Sequence, residues 1–208
     1  MQTTAPSSRG LLRQSISGWP LVWGVTGVLS LGLAALVAAY RLDGEVMRLA
    51  IRITARTSLL LFCLAFCAAG AWALWPGALT SWQRANRRYL GLAFAGSHGL
   101  HGLAIIGYAV LDPAPFAAYM TPAMYALGGV GYVFIALMAA TSFDATARSI
   151  GPTAWRWLHL AGSYYLWLSF FNGFGRRALA DASYWPWVAL LVTAMAVRLA
   201  GKGRDRAR

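Results

Sequence analysis

The sequence predicts an all-α integral membrane protein, a bundle of six transmembrane helices. Three observations predict it. Of 208 residues, 59% are hydrophobic and only 12% charged, and the mean hydropathy is +0.54, the balance of a chain whose solvent is lipid. The apolar residues gather into six stretches, each near the ~20 residues needed to cross the hydrocarbon core. Ten tryptophans and nine tyrosines supply the amphipathic rings that settle at headgroup level. Lipid offers no hydrogen-bond partner to a bare backbone, so each stretch must satisfy itself as a helix.

Residues 1–18 are polar, with Pro6 and several serines, and carry Arg9 and Arg13. The first span runs from Trp19 to Tyr40. It is too long for a signal-peptide core and reads as a retained helix. Arg41 to Thr57 follows, with Arg48, Arg52 and Arg56 recurring every fourth residue among apolar neighbours. That spacing gives one basic helix face and predicts an amphipathic helix on the membrane surface. The second span runs from Ser58 to Leu79 and has Pro76 near its end. Its Cys63 and Cys67 share a face and read as small packing residues. The third span is Tyr89–Leu111. The fourth, Pro122–Thr141, has Gly128, Gly129 and Gly131, which allow close helix contact. The fifth is Trp155–Phe174 and the sixth Tyr184–Ala200. The six-helix domain thus covers residues 19–200, and residues 201–208 form a basic tail.

The net charge of +12 does not indicate a nucleic-acid-binding protein. The basic residues fall between and after the apolar stretches, where they set topology. Twelve of the 18 lysines and arginines lie on one side if the spans alternate. Both termini are then expected in the cytoplasm. The basic segment from Arg41 to Arg56 opposes this trend.

All three histidines lie in or just inside apolar stretches. An ionisable side chain inside a bilayer marks a candidate functional site, and neutral imidazole is a common axial ligand of haem iron. His98 and His101 are three residues apart and share a face of the third span. Gly91, Gly96, Gly99 and Gly102 keep that helix slim enough for another helix or a flat macrocycle to approach. His159 follows the interfacial cluster Trp155-Arg156-Trp157.

The run Arg87-Arg88-x-Leu90-Gly91-Leu92 followed by His101 resembles the ferric-reductase-like transmembrane family. So does Thr141-Ser142-Phe143-Asp144, with Arg148 and Gly151, leading to Trp155-x-x-Leu158-His159. Within that family the pattern is nearest to the haem-binding membrane subunits of bacterial periplasmic methionine sulfoxide reductase systems. The resemblance covers roughly Arg52 to Leu179. It implies a six-helix bundle with b-type haem between the third and fifth helices, and His101 and His159 as haem-iron ligands. The family's further fifth-helix histidine is replaced here by Asn172.

Depth separates the implied ligands. His101 lies about 18 Å along its span and His159 about 6 Å along its own, at ~1.5 Å per residue. Three arrangements stay open. His98 or His101 pairs with His159 across tilted helices; His101 alone holds the haem, with Asn172 as a polar neighbour; or the fold has lost its haem. Arg87, Arg88 and Arg156 suit an inner haem propionate, and Arg176 or Arg177 an outer one.

The expected function is electron transfer through haem b in a bacterial inner membrane. The chain has no GxGxxG nucleotide-binding context, so the donor is expected to be a separate quinol or flavoprotein. The acceptor implied by the resemblance is a periplasmic reductase, ferric iron or another small oxidant. The alternative is a haemless membrane scaffold or assembly factor on the same fold.

Overall fold

A computed structural model describes residues 17–206. Eight α-helices fill almost all of that length, with no strand among the described residues. They are α1 (Trp19–Tyr40), α2 (Gly44–Leu74), α3 (Ala78–Ala85), α4 (Arg87–Leu111), α5 (Pro113–Tyr119), α6 (Pro122–Ala140), α7 (Asp144–Ala178) and α8 (Trp185–Arg206). A 3₁₀ turn at Ala182–Tyr184 leads into α8. The architecture is all-α as expected, with eight helices rather than six.

Five of these stretches are long and apolar enough to cross a membrane: α1, α2, α4, α6 and Ala182–Arg204. The expected fifth span is the second half of α7. That helix is long, but its tyrosines, tryptophans, His159 and Asn172 leave it less apolar than the other five. The two extra helices are short. α3 and α5 occupy the connections before α4 and before α6, which the hydropathy pattern leaves undivided.

The basic segment Arg41–Thr57 does not form a separate surface helix. From Gly44 it is continuous with the second span in one 31-residue helix. Asp43 caps its start by accepting the Val46 N–H at 2.9 Å, which satisfies one of the orphan donors of the first turn. Val46, Met47, Ala50 and Thr54 are buried, a stripe at helical spacing that needs a partner along its full length. The partner is α4, and the arginines flank this stripe: Arg48 donates to the Tyr108 hydroxyl of α4 at 3.2 Å and Arg56 lies over the Trp187 ring. The helix stops at Leu74. Pro76 lies beyond it and cannot continue the backbone ladder.

Two registers organise the bundle. α2 and α4 run antiparallel: Gly44 faces Asp112, Met47 faces Gly107, Thr54 meets His101, Ser58 meets Ser97 and Phe62 meets Phe94. α2 and α8 run parallel: Arg56 lies over Trp187, Arg198 over Phe66 and Gly201 against Gly70. At that last crossing a Cβ added to Gly70 would stand 2.3 Å from the Val197 carbonyl oxygen. Only glycine permits so close an approach of two backbones. α7 is antiparallel both to α6, through Phe134–Tyr165 and Thr141–His159, and to α8, through Trp167–Leu191. α1 lies along α4, with Thr26 against Gly96 and Trp19 against Tyr89. The six long helices therefore alternate in direction in chain order.

α2 stands at the centre. Leu59, Leu90, Ala93 and Leu191 are at most 1% exposed, and Phe62, Phe66, Phe94 and Phe170 pack ring against ring in the same core. Cys63 and Cys67 are free thiols within this packing. α7 breaks at Gly151, whose φ of 76° and ψ of 162° suit glycine alone, and restarts at Pro152. Residues 201–206, read as tail, continue α8. Most of the polar N-terminal segment lies outside the described residues.

Candidate functional site

The end of the bundle that carries the start of α4 is termed the first end, and the opposite one the second. His98 and His101 sit midway along α4, on the face toward α2, α6 and α7. Their rings lie 4.9 Å apart. Phe94 at 5.5 Å, Tyr132 at 5.0 Å and Phe170 at 5.8 Å surround the His98 ring. The Tyr132 hydroxyl donates to the His98 carbonyl at 3.2 Å. Gly102 makes room for it: a Cβ there would meet the Tyr132 hydroxyl at 2.9 Å. His98 Nδ1 is buried with no hydrogen-bond partner. A buried polar atom without a partner is costly.

His101 is held differently. Its Nδ1 lies 3.1 Å from Thr54 Oγ1. The Thr54 hydroxyl has one proton, and it donates that proton to the Ala50 carbonyl one turn back, at 2.7 Å. The hydroxyl can then only accept from the imidazole. Nδ1 of His101 therefore carries the hydrogen and Nε2 keeps its lone pair bare. A ligating histidine is usually oriented in this way, by a hydrogen bond from its other nitrogen.

His159 has the mirror arrangement. Its Nε2 lies 3.1 Å from Thr141 Oγ1, whose own proton goes to the Leu137 carbonyl at 2.7 Å. Here Nε2 carries the hydrogen and Nδ1 is the bare nitrogen. The ring stacks on Trp155 at 4.2 Å, and the Trp155 indole donates to the Thr141 carbonyl at 2.9 Å. No ring contact or hydrogen bond joins His159 to His98 or His101. The structure thus brings two of the three histidines together and sets the third apart, nearer the first end. Asn172 is exposed on α7 and joins neither group.

His159 lines a cavity of about 320 Å³ at the first end, between α2, α4, α6, α7 and α8. Phe62, Phe66, Phe94 and Met138 give it an apolar floor; Arg87, Arg88 and Arg198 give it a cationic rim. Phe94 belongs both to this wall and to the shell of His98. Of the arginines expected to meet propionates, Arg87 and Arg88 line the cavity. Arg156 and Arg176 are exposed. Arg177 lies near the second end, donating to the Tyr119 hydroxyl at 3.3 Å and lying 5.8 Å from the Tyr184 ring.

Three residues of these sites were not singled out as site residues by sequence reasoning, Thr54, Tyr132 and Arg198, and Thr141 entered only as part of the connector motif. Arg198 was counted only among the basic residues that set topology, although it lies inside the last apolar stretch, Tyr184–Ala200, where an arginine is also a candidate functional residue. No signal existed for Thr54, and the motif containing Thr141 gave that residue no role. Their hydroxyls matter only through the register that sets each against a histidine.

Among the described residues the chain is all-helical, with five stretches long and apolar enough to cross a membrane, the mark of a multi-pass membrane protein, and its histidines lie in two separate places. No protein-family model, no curated protein and no solved structure matches the chain.

Proposed function

We propose that the protein is a membrane electron-transfer protein that holds a b-type haem from α4, with His101 as the principal iron ligand. The observation that supports this is the bond from His101 Nδ1–H to Thr54, which leaves Nε2 bare beside the His98 ring 4.9 Å away. The donor set fits the group: one oriented imidazole, a second imidazole at His98 with an unpartnered nitrogen, and apolar rings at Phe94, Tyr132 and Phe170. It fits attachment from α4 better than the resemblance's ligand pair across α4 and α7. The reason is that the His159 ring lies in the separate cavity at the first end, with no ring contact or hydrogen bond to His98 or His101. A haem held here would supply one-electron redox chemistry; the protein supplies ligand, burial and low dielectric.

In this reading the second half of α7 is the fifth span and completes a set of six, since it runs antiparallel to its apolar neighbours α6 and α8. The bundle is then of the ferric-reductase-like type. The arginines and lysine of the first end face the cytoplasm of a bacterial inner membrane, following the positive-inside rule. Electrons come from a separate quinol or flavoprotein and leave to a periplasmic reductase or a small oxidant.

The test is the oxidised and reduced absorption spectrum of protein purified in mild detergent, with haem quantitation. A haem b spectrum is expected, lost or strongly altered in His101→Ala and retained in His159→Ala. Protein free of haem after expression with haem supplied would refute the proposal. It would favour instead a haemless scaffold, in which the packing of His98 among Phe94, Tyr132 and Phe170 is purely structural.

A further inference from the structure

The cavity at the first end carries more positive charge than the protein itself answers. Arg87, Arg88 and Arg198 all line it. The single carboxylate on its wall is Asp144, which pairs with Arg88 at 3.1 Å while staying largely exposed. Arg198 spends one nitrogen on the Phe66 carbonyl at 2.7 Å and reaches the Ser163 hydroxyl with another at 3.5 Å. Its Nε–H is buried without an acceptor, and so is that of Arg88. Arg87 forms no hydrogen bond or ion pair among the described residues. It stands on the first turn of α4, where orphan backbone N–H groups and the helix dipole favour an anion. Three guanidinium groups around one carboxylate, two of them with buried unanswered donors, form a site built for oxyanion acceptors.

The remaining wall sets the rest of the ligand. Phe62, Phe66, Phe94, Ile135 and Met138 are apolar, and the cavity lies at the end of helices long enough to cross a membrane. We propose that this cavity binds the phosphate of an anionic amphiphile, headgroup against Arg87, Arg88 and Arg198 and chain against the phenylalanines. The inference does not depend on the haem reading, because it uses neither His98 nor His101.

Native mass spectrometry of the full chain in mild detergent tests it. Phosphatidylglycerol is added in one arm, phosphate-free diacylglycerol of the same chains in a second, and glycerol 3-phosphate in a third. One retained equivalent of phosphatidylglycerol is expected, with no retention of diacylglycerol. Arg87→Gln and Arg198→Gln should each weaken retention about ten- to a hundredfold, the loss of a hydrogen bond between charged groups. Arg148→Gln, an exposed arginine outside the cavity, should behave as the parent. Arg87→Gln carries the test if Arg198→Gln fails to fold. Binding of glycerol 3-phosphate alone, with the same arginine dependence, keeps the phosphate site and assigns it to a soluble ester. The proposal is overturned if neither phosphate compound binds, or if diacylglycerol binds equally well. It is also overturned if Arg87→Gln matches the parent, or if Arg148→Gln weakens binding as much as the cavity variants.

Discussion

His101 Nδ1 lies 3.1 Å from the hydroxyl of Thr54 on the neighbouring helix, and that hydroxyl has already given its proton to Ala50. The tautomer of an intramembrane histidine is thereby fixed from one helix away. Thr54→Val keeps the shape and removes the acceptor. Haem retention is expected to fall about 10- to 100-fold, the usual effect of losing a residue that orients a metal ligand, while Thr54→Ser retains it. Thr141→Val, the same change beside His159, should leave haem content unaltered. Pyridine haemochrome quantitation across dilution reads all three. Equal retention in Thr54→Val and the parent would show that Thr54 does not orient the ligand.

The crossing of α2 over α8 gives a prediction about stability. Gly70→Ala places a methyl group 2.3 Å from the Val197 carbonyl oxygen and 3.0 Å from the Arg198 Cα. Backbone cannot yield as a side chain can, so the helices must separate, at a cost of about 1–3 kcal/mol. Gly128→Ala on α6 meets nothing within 4 Å and should be nearly neutral. Thermal unfolding in detergent should show a lowered midpoint for the first variant and not for the second. The separation should also disturb Arg198, whose Cα lies at the crossing.

Gly151 supplies a prediction about the kink. At φ 76° and ψ 162° it occupies a region that L-residues enter at a cost of order 1–3 kcal/mol. No atom obstructs a side chain there, so the cost of Gly151→Ala is one of backbone conformation alone. Destabilisation of that size is expected by thermal or denaturant unfolding. A neutral result would mean that α7 can straighten through residue 151 without loss.

The four-residue spacing of Arg48, Arg52 and Arg56 shows how far the sequence could be read and where it misled. The period was right and the helix is there. The apolar face opposite the arginines, however, packs on α4 instead of on a membrane surface. Periodicity reports that one face is apolar; it does not report what covers that face. The same limit applied to the histidines. Spacing put His98 and His101 on one face, and the structure keeps them together at 4.9 Å. The depth difference between His101 and His159 was also legible, and no contact joins them. The exposed side of α7 taken by Asn172 was not legible, because the rotation of α7 about its axis is set by α6 and α8.

The sequence by itself determined an all-helical membrane protein. Long apolar stretches admit no other backbone in lipid, and the positions of Trp19–Tyr40, Arg87–Leu111 and Pro122–Ala140 follow from hydropathy to within a turn. Only the tertiary structure decided which groups meet. Register across helices sets Thr54 against His101 and Thr141 against His159, and gathers Arg87, Arg88 and Arg198 around one cavity. Those pairings join residues 18 to 111 positions apart in the chain. A local pattern carries no information about contacts at that range, since they depend on how each helix is turned and slid against its neighbours.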